Sequence, residues 1–152
     1  MKKLFLFLIV SLLFCACEGP QGIPGEPGTG TNWRVVNFTV KSTDWVLVGS
    51  ADDYDSYYMA EFDLPSLSTF IYEEGNVQGY MFINLDDKTE VQTTLPYIAY
   101  YGQPVTTTTE NLWTESYSFD FMPGSVAFYV RYSDFYTSNR PGTCSFRVVM
   151  TW

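Results

Sequence analysis

The sequence predicts an all-β fold, an antiparallel β-sandwich of about eight or nine strands. Aromatic residues make up 18% of the chain, and aromatic and β-branched residues favour extended strands. Short runs in which apolar and polar residues alternate recur along the chain, and glycine and proline separate these runs. Long stretches of helix-forming residues are absent from the sequence. An aromatic-lined barrel is the alternative architecture.

The predicted strands follow one another up to the C-terminus. Apolar and polar residues alternate in the first, over residues 36–40, as in a half-buried strand. Seven more strands are predicted at residues 45–48, 57–62, 77–85, 95–101, 117–121, 126–132 and 144–152. Pro123 and Gly124 predict a hairpin turn, because proline presets φ and glycine accepts a positive φ. Residues 65–74 fit a short helical turn that ends at Gly75 and a strand equally well.

The N-terminal segment predicts export and a lipid anchor. Two lysines precede an apolar run over residues 4–14. As a helix this run would be about 17 Å long, roughly half of a bilayer's hydrocarbon core, so it fits a signal peptide and not a permanent span. Ala16 before Cys17 resembles the lipobox of bacterial lipoproteins. We expect residues 1–16 to be the signal peptide and acylated Cys17 to hold the protein to membrane lipid. An ordinary secretory signal is the alternative.

Residues 17–31 form the predicted linker between the anchor and the domain. Glycine recurs at every third position from Gly19 to Gly28, with proline between, which is the collagen pattern. Because the run is short, we expect a semi-rigid tether, in which about 12 residues at about 3.1 Å each reach roughly 37 Å. A trimeric stalk is the alternative. The β-sandwich domain is predicted at residues 32–152.

The charge of the chain limits its partners. The formal net charge is −9, from eight basic and 17 acidic residues. Cleavage of the signal peptide removes two of the eight basic residues and no acidic one, so the mature net charge is about −11. A surface this acidic is repelled by phosphate backbones, which excludes nucleic acid as a partner. The charge favours solubility at a crowded surface.

The residue types present predict neither catalysis nor a cofactor. The chain has no histidine, which removes Ser-His-Asp and Cys-His chemistry and the commonest transition-metal ligand. Cys144 begins an apolar run, and we expect it to be a buried, inert thiol. The acidic pairs Glu73/Glu74 and Asp86/Asp87 are adjacent in sequence and typical of solvated turns. A glycoside hydrolase is therefore the least favoured function, because its two acids must face each other across a bond.

Two groups of residues are candidates for binding. Asp52, Asp53 and Asp55 cluster in one segment, as Ca²⁺ ligands do, but they lack the spacing of an EF-hand, so a polar loop is the favoured interpretation. Tyrosine suits sugar stacking because it is apolar with a polar tip. The predicted ligand-binding residues are Tyr54, Tyr57 and Tyr136. On the strand at residues 95–101, alternation predicts that Tyr97 and Tyr101 share one face and Tyr100 takes the other.

Several segments resemble one group of proteins. The Cys17-Glu18-Gly19-Pro20 start, the collagen-like tether and the Thr31-Asn32-Trp33 entry are similar to those of uncharacterised lipoproteins of Bacteroidetes. Leu95-Pro96-Tyr97 and Phe146-Arg147-Val148-Val149 fit the same resemblance. It implies an outer-membrane or cell-surface lipoprotein with a β-sandwich, and it brings no known activity and no site residues.

The function hypothesis combines these predictions. We expect an exported, membrane-anchored lipoprotein that presents a non-catalytic β-sandwich and binds a polysaccharide or an envelope protein. The alternative is a structural or assembly subunit of a surface complex. The tyrosines favour the first hypothesis, because rings on a sandwich face or loop can stack on sugars.

Overall fold

The computed structural model describes residues 30–104 and 110–152. The predicted signal peptide, Cys17 and nearly all of the linker lie outside the described residues. Within them, two antiparallel sheets of four and five strands enclose one hydrophobic core, which confirms the all-β sandwich. None of the helices in this part of the chain is long and apolar enough to span a membrane.

The described residues form nine strands, one short helix and one 3-10 turn. In chain order the strands are β1 (Trp33–Val40), β2 (Val46–Val48), β3 (Tyr57–Leu64), β4 (Asn76–Ile83), β5 (Val91–Thr94), β6 (Tyr97–Pro104), β7 (Glu110–Met122), β8 (Gly124–Tyr132) and β9 (Cys144–Thr151). Helix α1 is Thr69–Glu74, and the 3-10 turn is Ser42–Asp44. The four-stranded sheet has the order β1-β9-β4-β5, and the five-stranded sheet has the order β2-β3-β8-β7-β6.

Strand β9 shows why alternation predicts this fold so well. Cys144, Phe146, Val148 and Met150 are buried, and the residues between them are half-buried on the outer face. Phe146 stacks on Phe128 of β8 in the opposite sheet, with ring centroids 4.2 Å apart. This pair joins the two sheets at the centre of the core.

The predicted hairpin between β7 and β8 is present. Met122 pairs with Ser125, so Pro123 and Gly124 form a two-residue turn. Gly124 has a φ of +89°, a value that side chains disfavour and glycine accepts. The proline and glycine in the sequence therefore predict this turn correctly.

Two strands and the helix differ from the prediction. Strand β5 was not predicted, because its sequence VQTT has little apolar alternation; it forms by pairing with β4. Strand β7 begins at Glu110 and not at residue 117. The ambiguous segment is helical, but it starts at Thr69 because the Ser68 hydroxyl accepts a hydrogen bond from the Ile71 amide at 3.2 Å.

The two ends of the sandwich carry different connections. At the end we call the helix end, α1 and the β7–β8 turn meet, and Leu67 and Ile71 are buried there. Asn32 and Trp152 exchange backbone hydrogen bonds at the same end. At the opposite end, which we call the loop end, lie the segments 41–45, 49–56 and 133–143, between the strands that finish or start there.

Candidate functional site

A cleft of about 230 Å³ opens at the loop end of the five-stranded sheet. Three aromatic residues line it, Trp113 of β7, Tyr132 of β8 and Tyr136 of the loop 133–143. Amide side chains, charged side chains and the backbone of residues 141–142 complete the wall. The cleft therefore combines apolar ring surface with many hydrogen-bonding groups in one concave place.

Strand β7 supplies the floor of the cleft. Every second side chain in this part of β7 faces the interior, namely Trp113, Glu115 and Tyr117. Tyr117 is buried, whereas Glu115 and Trp113, nearer the loop end, are half-buried. Tyr101 of β6 lies opposite Trp113 in the pairing register and stacks on it, with ring centroids 5.5 Å apart and ring planes 16° apart. This stack holds the indole in a fixed position beside the cleft.

Glu115 is the polar group at the centre of this aromatic floor. The Tyr117 hydroxyl donates a hydrogen bond to its Oε2 atom at 2.5 Å, and that bond leaves Oε1 for another donor. Burial and this hydrogen bond raise the pKa of Tyr117 far above its ordinary value. Burial and the nearby Glu115 carboxylate also raise the pKa of Tyr132. Both phenols therefore remain protonated at neutral pH and keep a donor.

The loop 133–143 forms the opposite wall, and hydrogen bonds hold it at both ends. At its start, the Ser133 amide donates to the Thr114 carbonyl at 3.0 Å, and the Thr114 amide donates to the Ser133 hydroxyl at 2.8 Å. At its end, the Ser42 hydroxyl donates to the Pro141 carbonyl at 2.8 Å. The Trp45 indole N–H donates to the Gly142 carbonyl at 3.0 Å. The wall is thus fixed before any ligand arrives.

Asp52 holds the middle of the same loop. Its carboxylate accepts hydrogen bonds from the Thr137 amide at 2.7 Å, and from the Ser138 amide and hydroxyl at 3.1 and 3.0 Å. The Ser138 hydroxyl and then the two amides lower the pKa of Asp52. The Tyr58 hydroxyl donates to the Thr137 carbonyl at 2.5 Å. These contacts tie the segment 49–56 to the loop that carries Tyr136.

The structure separates the three tyrosines that the sequence predicts as ligand-binding. Tyr136 lines the cleft and is 50% exposed. Tyr54 is 77% exposed in the segment that Asp52 anchors, but it does not line the cleft. Tyr57 lies on the outer face of the five-stranded sheet, where the Arg131 guanidinium covers its ring at 4.1 Å from the centroid. One of the three therefore belongs to the candidate site.

The acidic loop does not assemble into a metal site. Asp52 is occupied by Thr137 and Ser138, and Asp53 accepts a hydrogen bond from the Tyr54 amide at 2.8 Å within its own turn. Across residues 30–104 and 110–152, no group of three or more His, Cys, Asp or Glu side chains is placed to hold a metal ion. The calcium hypothesis for Asp52, Asp53 and Asp55 therefore gains no support from this geometry.

The remaining predicted residues lie outside the cleft. Glu73 and Glu74 are exposed on α1, and Asp86 and Asp87 are exposed in the β4–β5 turn. Cys144 is a buried free cysteine, as predicted. Burial, and to a lesser degree Glu115, raise the pKa of its thiol to about 12. A thiol with that pKa is almost wholly protonated at neutral pH and so is a poor nucleophile.

Sequence reasoning missed most of the cleft. Trp113, Glu115 and Asn111 lie in the first half of β7, which was not predicted to be a strand. When β7 begins at Glu110, Glu115 takes an inward-facing position between two aromatic residues, Trp113 and Tyr117. This position is a feature of the sequence that could have located the site. A carboxylate among core-facing rings marks either a buried network or a site.

No protein-family model, curated protein or solved structure matches this chain.

Proposed function

We propose that this protein is a non-catalytic carbohydrate-binding module, and that the cleft at the loop end takes its sugar ligand. The observation that carries the proposal is the joint presence of Trp113, Tyr132 and Tyr136 with amide and charged side chains in one cleft. A sugar ring has an apolar C–H face and a rim of hydroxyl groups. Aromatic rings match the face, and polar side chains match the rim.

The polar groups suit hydroxyls, each of which both donates and accepts a hydrogen bond. The amides of Gln103, Asn111 and Asn139 line the cleft, and each amide carries donors and an acceptor. Glu115 and Asp134 add acceptors to the same lining. The rim also carries the Arg140 guanidinium, which is exposed and donates only.

The cleft is preorganised, which favours binding by a small ligand. Trp113 is stacked on Tyr101, and the loop of Tyr136 is hydrogen-bonded at its start, middle and end. A site whose side chains and loops are already ordered loses little conformational entropy when a ligand enters. The volume is below the roughly 300 Å³ of a small drug site, so we expect one or two sugar rings to be held, with micromolar to millimolar affinity.

The position of the cleft suits an anchored receptor. The first described residues pair with the C-terminus at the helix end, through Asn32 and Trp152. The domain therefore begins at the end opposite the cleft. We propose that Cys17 is acylated in the outer membrane or at the cell surface. The first residue of the domain then lies away from the cleft, which leaves the cleft open to glycans.

A binding screen tests the proposal. The chain from residue 18 onward, which lacks only the predicted signal peptide and Cys17, is screened against plant, host and envelope polysaccharides, and hits are measured by calorimetry. We expect saturable binding that Tyr136→Ala weakens at least tenfold. Tyr54→Ala is the matched control, because Tyr54 is an exposed tyrosine in the neighbouring loop and lies outside the cleft. Its affinity is expected to equal that of the unchanged protein.

Two outcomes contradict this proposal. The first is folded protein that binds no glycan in the panel. The second is release of reducing sugar from a bound glycan that Glu115→Gln abolishes, because turnover of that kind would identify a glycoside hydrolase.

A further inference from the structure

Among residues 30–104 and 110–152, the two sheets leave four strands at their edges, and β6 is the least protected of these. The edge strands are β1 and β5 of one sheet and β2 and β6 of the other. Natural edges avoid pairing with other chains by being short or charged. Strands β2 and β5 have three and four residues, and β1 carries Arg34. Strand β6 has eight residues, YIAYYGQP, and none of them is charged.

The outer face beside this edge is apolar. Tyr100 and Ile98 of β6 are 81% and 48% exposed, and Leu112 of the adjacent β7 is 66% exposed. A shallow groove of about 240 Å³ runs between Tyr100 and Leu112, and none of its lining residues is charged. The other four are Tyr101, Trp113, Thr114 and Ser133. A contiguous apolar patch of this kind marks an interaction surface on a soluble domain.

The charge of the molecule indicates which partner fits. The full chain carries a formal net charge of −9, and removal of the predicted signal peptide makes it about −11, so most faces of two copies repel each other. The β6 edge and the lining of its groove are uncharged, so repulsion is smallest when two copies meet there. An antiparallel strand is also its own complement, because a two-fold axis pairs it with itself.

We propose that β6 pairs with β6 of a second copy, joining the two five-stranded sheets into one continuous antiparallel sheet. This inference is independent of carbohydrate binding. The pairing satisfies the backbone N–H and C=O groups on the side of β6 that does not face β7. It also brings the two apolar patches side by side on one face.

The register follows from the alternation of side chains. Residues directly opposite each other in an antiparallel pair lie on the same face of the sheet. A register centred on Tyr100 meets this condition, sets the two Tyr100 residues opposite each other and overlaps residues 97–103. Centring it on Tyr101 would bring Pro104, which has no N–H group, into the pairing. The geometry therefore favours Tyr100 at the two-fold axis.

The size of the surface predicts a reversible dimer. One strand and three exposed apolar side chains fall short of the roughly 800 Å² per partner of a standard interface. The expected dissociation constant is therefore micromolar, and a permanent dimer is not expected. A lipid anchor would raise the local concentration of copies and so favour the dimer.

Sedimentation equilibrium of the chain from residue 18 onward tests this pairing. Between about 1 μM and 1 mM we expect a monomer–dimer equilibrium. Tyr100→Lys places a charge on each copy at the axis, and we expect it to raise the dissociation constant at least tenfold. Val46→Lys is the matched control, because Val46 is a 59% exposed apolar residue on the other edge of the same sheet. It should leave the dissociation constant unchanged.

A crosslink tests the register. Tyr100→Cys should form a disulfide-linked dimer under mild oxidation, whereas Val46→Cys should not. Circular dichroism establishes that each variant is folded, and Ile98→Lys replaces Tyr100→Lys if that variant is not. A monomer at every concentration, a trimer, or a dimer that Val46→Lys weakens and Tyr100→Lys does not would each overturn the proposal.

Discussion

The helix end and the loop end of this sandwich are built on the same strands but are closed by different means. At the helix end, Leu67 and Ile71 fill the space between the sheets, and the Gly124 amide donates to the Leu67 carbonyl at 2.9 Å. At the loop end, the Asp52 carboxylate accepts hydrogen bonds from the loop 133–143 and the Trp45 indole donates one to it, and these bonds position the loop. Buried apolar side chains close the helix end. At the loop end, side-chain hydrogen bonds hold the loops in place, and a cleft stays open between them.

Because the cleft lies at the loop end, a substitution in the core at the helix end should lower stability without changing glycan affinity. Leu67 is 1% exposed, and Leu67→Ala should lower the free energy of unfolding by about 2–5 kcal/mol, because it removes buried methyl groups and leaves a cavity. Urea unfolding measures this change. Glycan affinity of the folded variant should not change, because the cleft lies at the other end.

Phe70→Ala is the control for that experiment. Phe70 is on the same helix and is 59% exposed, so its loss should cost less than about 0.5 kcal/mol. Equal losses for Leu67→Ala and Phe70→Ala would mean that the helix does not close the core as described.

Trp45 is the residue at the loop end whose change should affect both properties. Trp45→Phe removes the indole N–H that binds the Gly142 carbonyl and reduces the volume of a side chain that is 1% exposed. We expect the free energy of unfolding to fall by about 1–3 kcal/mol. Glycan affinity should fall as well, because Gly142 lines the cleft.

Trp33→Phe is the matched control for Trp45→Phe, because Trp33 is 70% exposed at the helix end. It should change neither stability nor affinity. Loss of stability in Trp45→Phe with unchanged glycan affinity would contradict the idea that this hydrogen bond positions the cleft wall.

Of the three positions, Leu67, Trp45 and Asp52, substitution of Asp52 should lower stability least, and this loss should depend on pH. Asp52→Ala removes every acceptor for Thr137 and Ser138, and it places alanine at a φ of +57°. Asp52→Asn keeps one acceptor oxygen and tolerates that φ. The thermal midpoint at pH 7 should therefore fall most in Asp52→Ala and less in Asp52→Asn. Asp53→Ala, the control in the same loop, should lower it least.

The pH dependence has a defined sign. Hydrogen bonds from Ser138 and Thr137 lower the pKa of Asp52 below 3.8 in the folded state. Its contribution to stability is then fully present above the unfolded-state pKa and is lost as the pH falls through the folded-state pKa. The difference in stability between the unchanged protein and Asp52→Ala should therefore shrink as the pH falls below 3.8. A difference that grows on acidification would contradict this role.

The parts of the fold that the sequence predicts are those with strong local signals. Strand β9 alternates along its whole length, and Pro123 and Gly124 encode the hairpin turn. Strand β5 was missed because its stability comes from pairing with β4, which no local pattern records. The first half of β7 was missed because Glu115 interrupts its apolar face.

The candidate site was harder to predict because its residues come from different strands and a loop, and no local pattern records how these meet. Tyr136 was identified from composition, but its partners Trp113 and Glu115 are brought to it by the register of β6, β7 and β8 and by the path of the loop 133–143. Tyr57 has the same local character, yet the direction of its side chain turns it to the outer face beneath Arg131. Residue type alone does not distinguish these two tyrosines.

The most direct test of the carbohydrate-binding proposal compares two tryptophans, one at each end of the molecule. In an NMR titration with a glycan that the screen identifies, the indole N–H signals of Trp113 and Trp33 are followed together. Trp113 lines the cleft, and Trp33 is exposed at the helix end. The proposal predicts a saturable shift of the Trp113 signal and a constant Trp33 signal. A ligand that shifts Trp33 and leaves Trp113 unchanged would show that sugars bind elsewhere and would contradict the proposal.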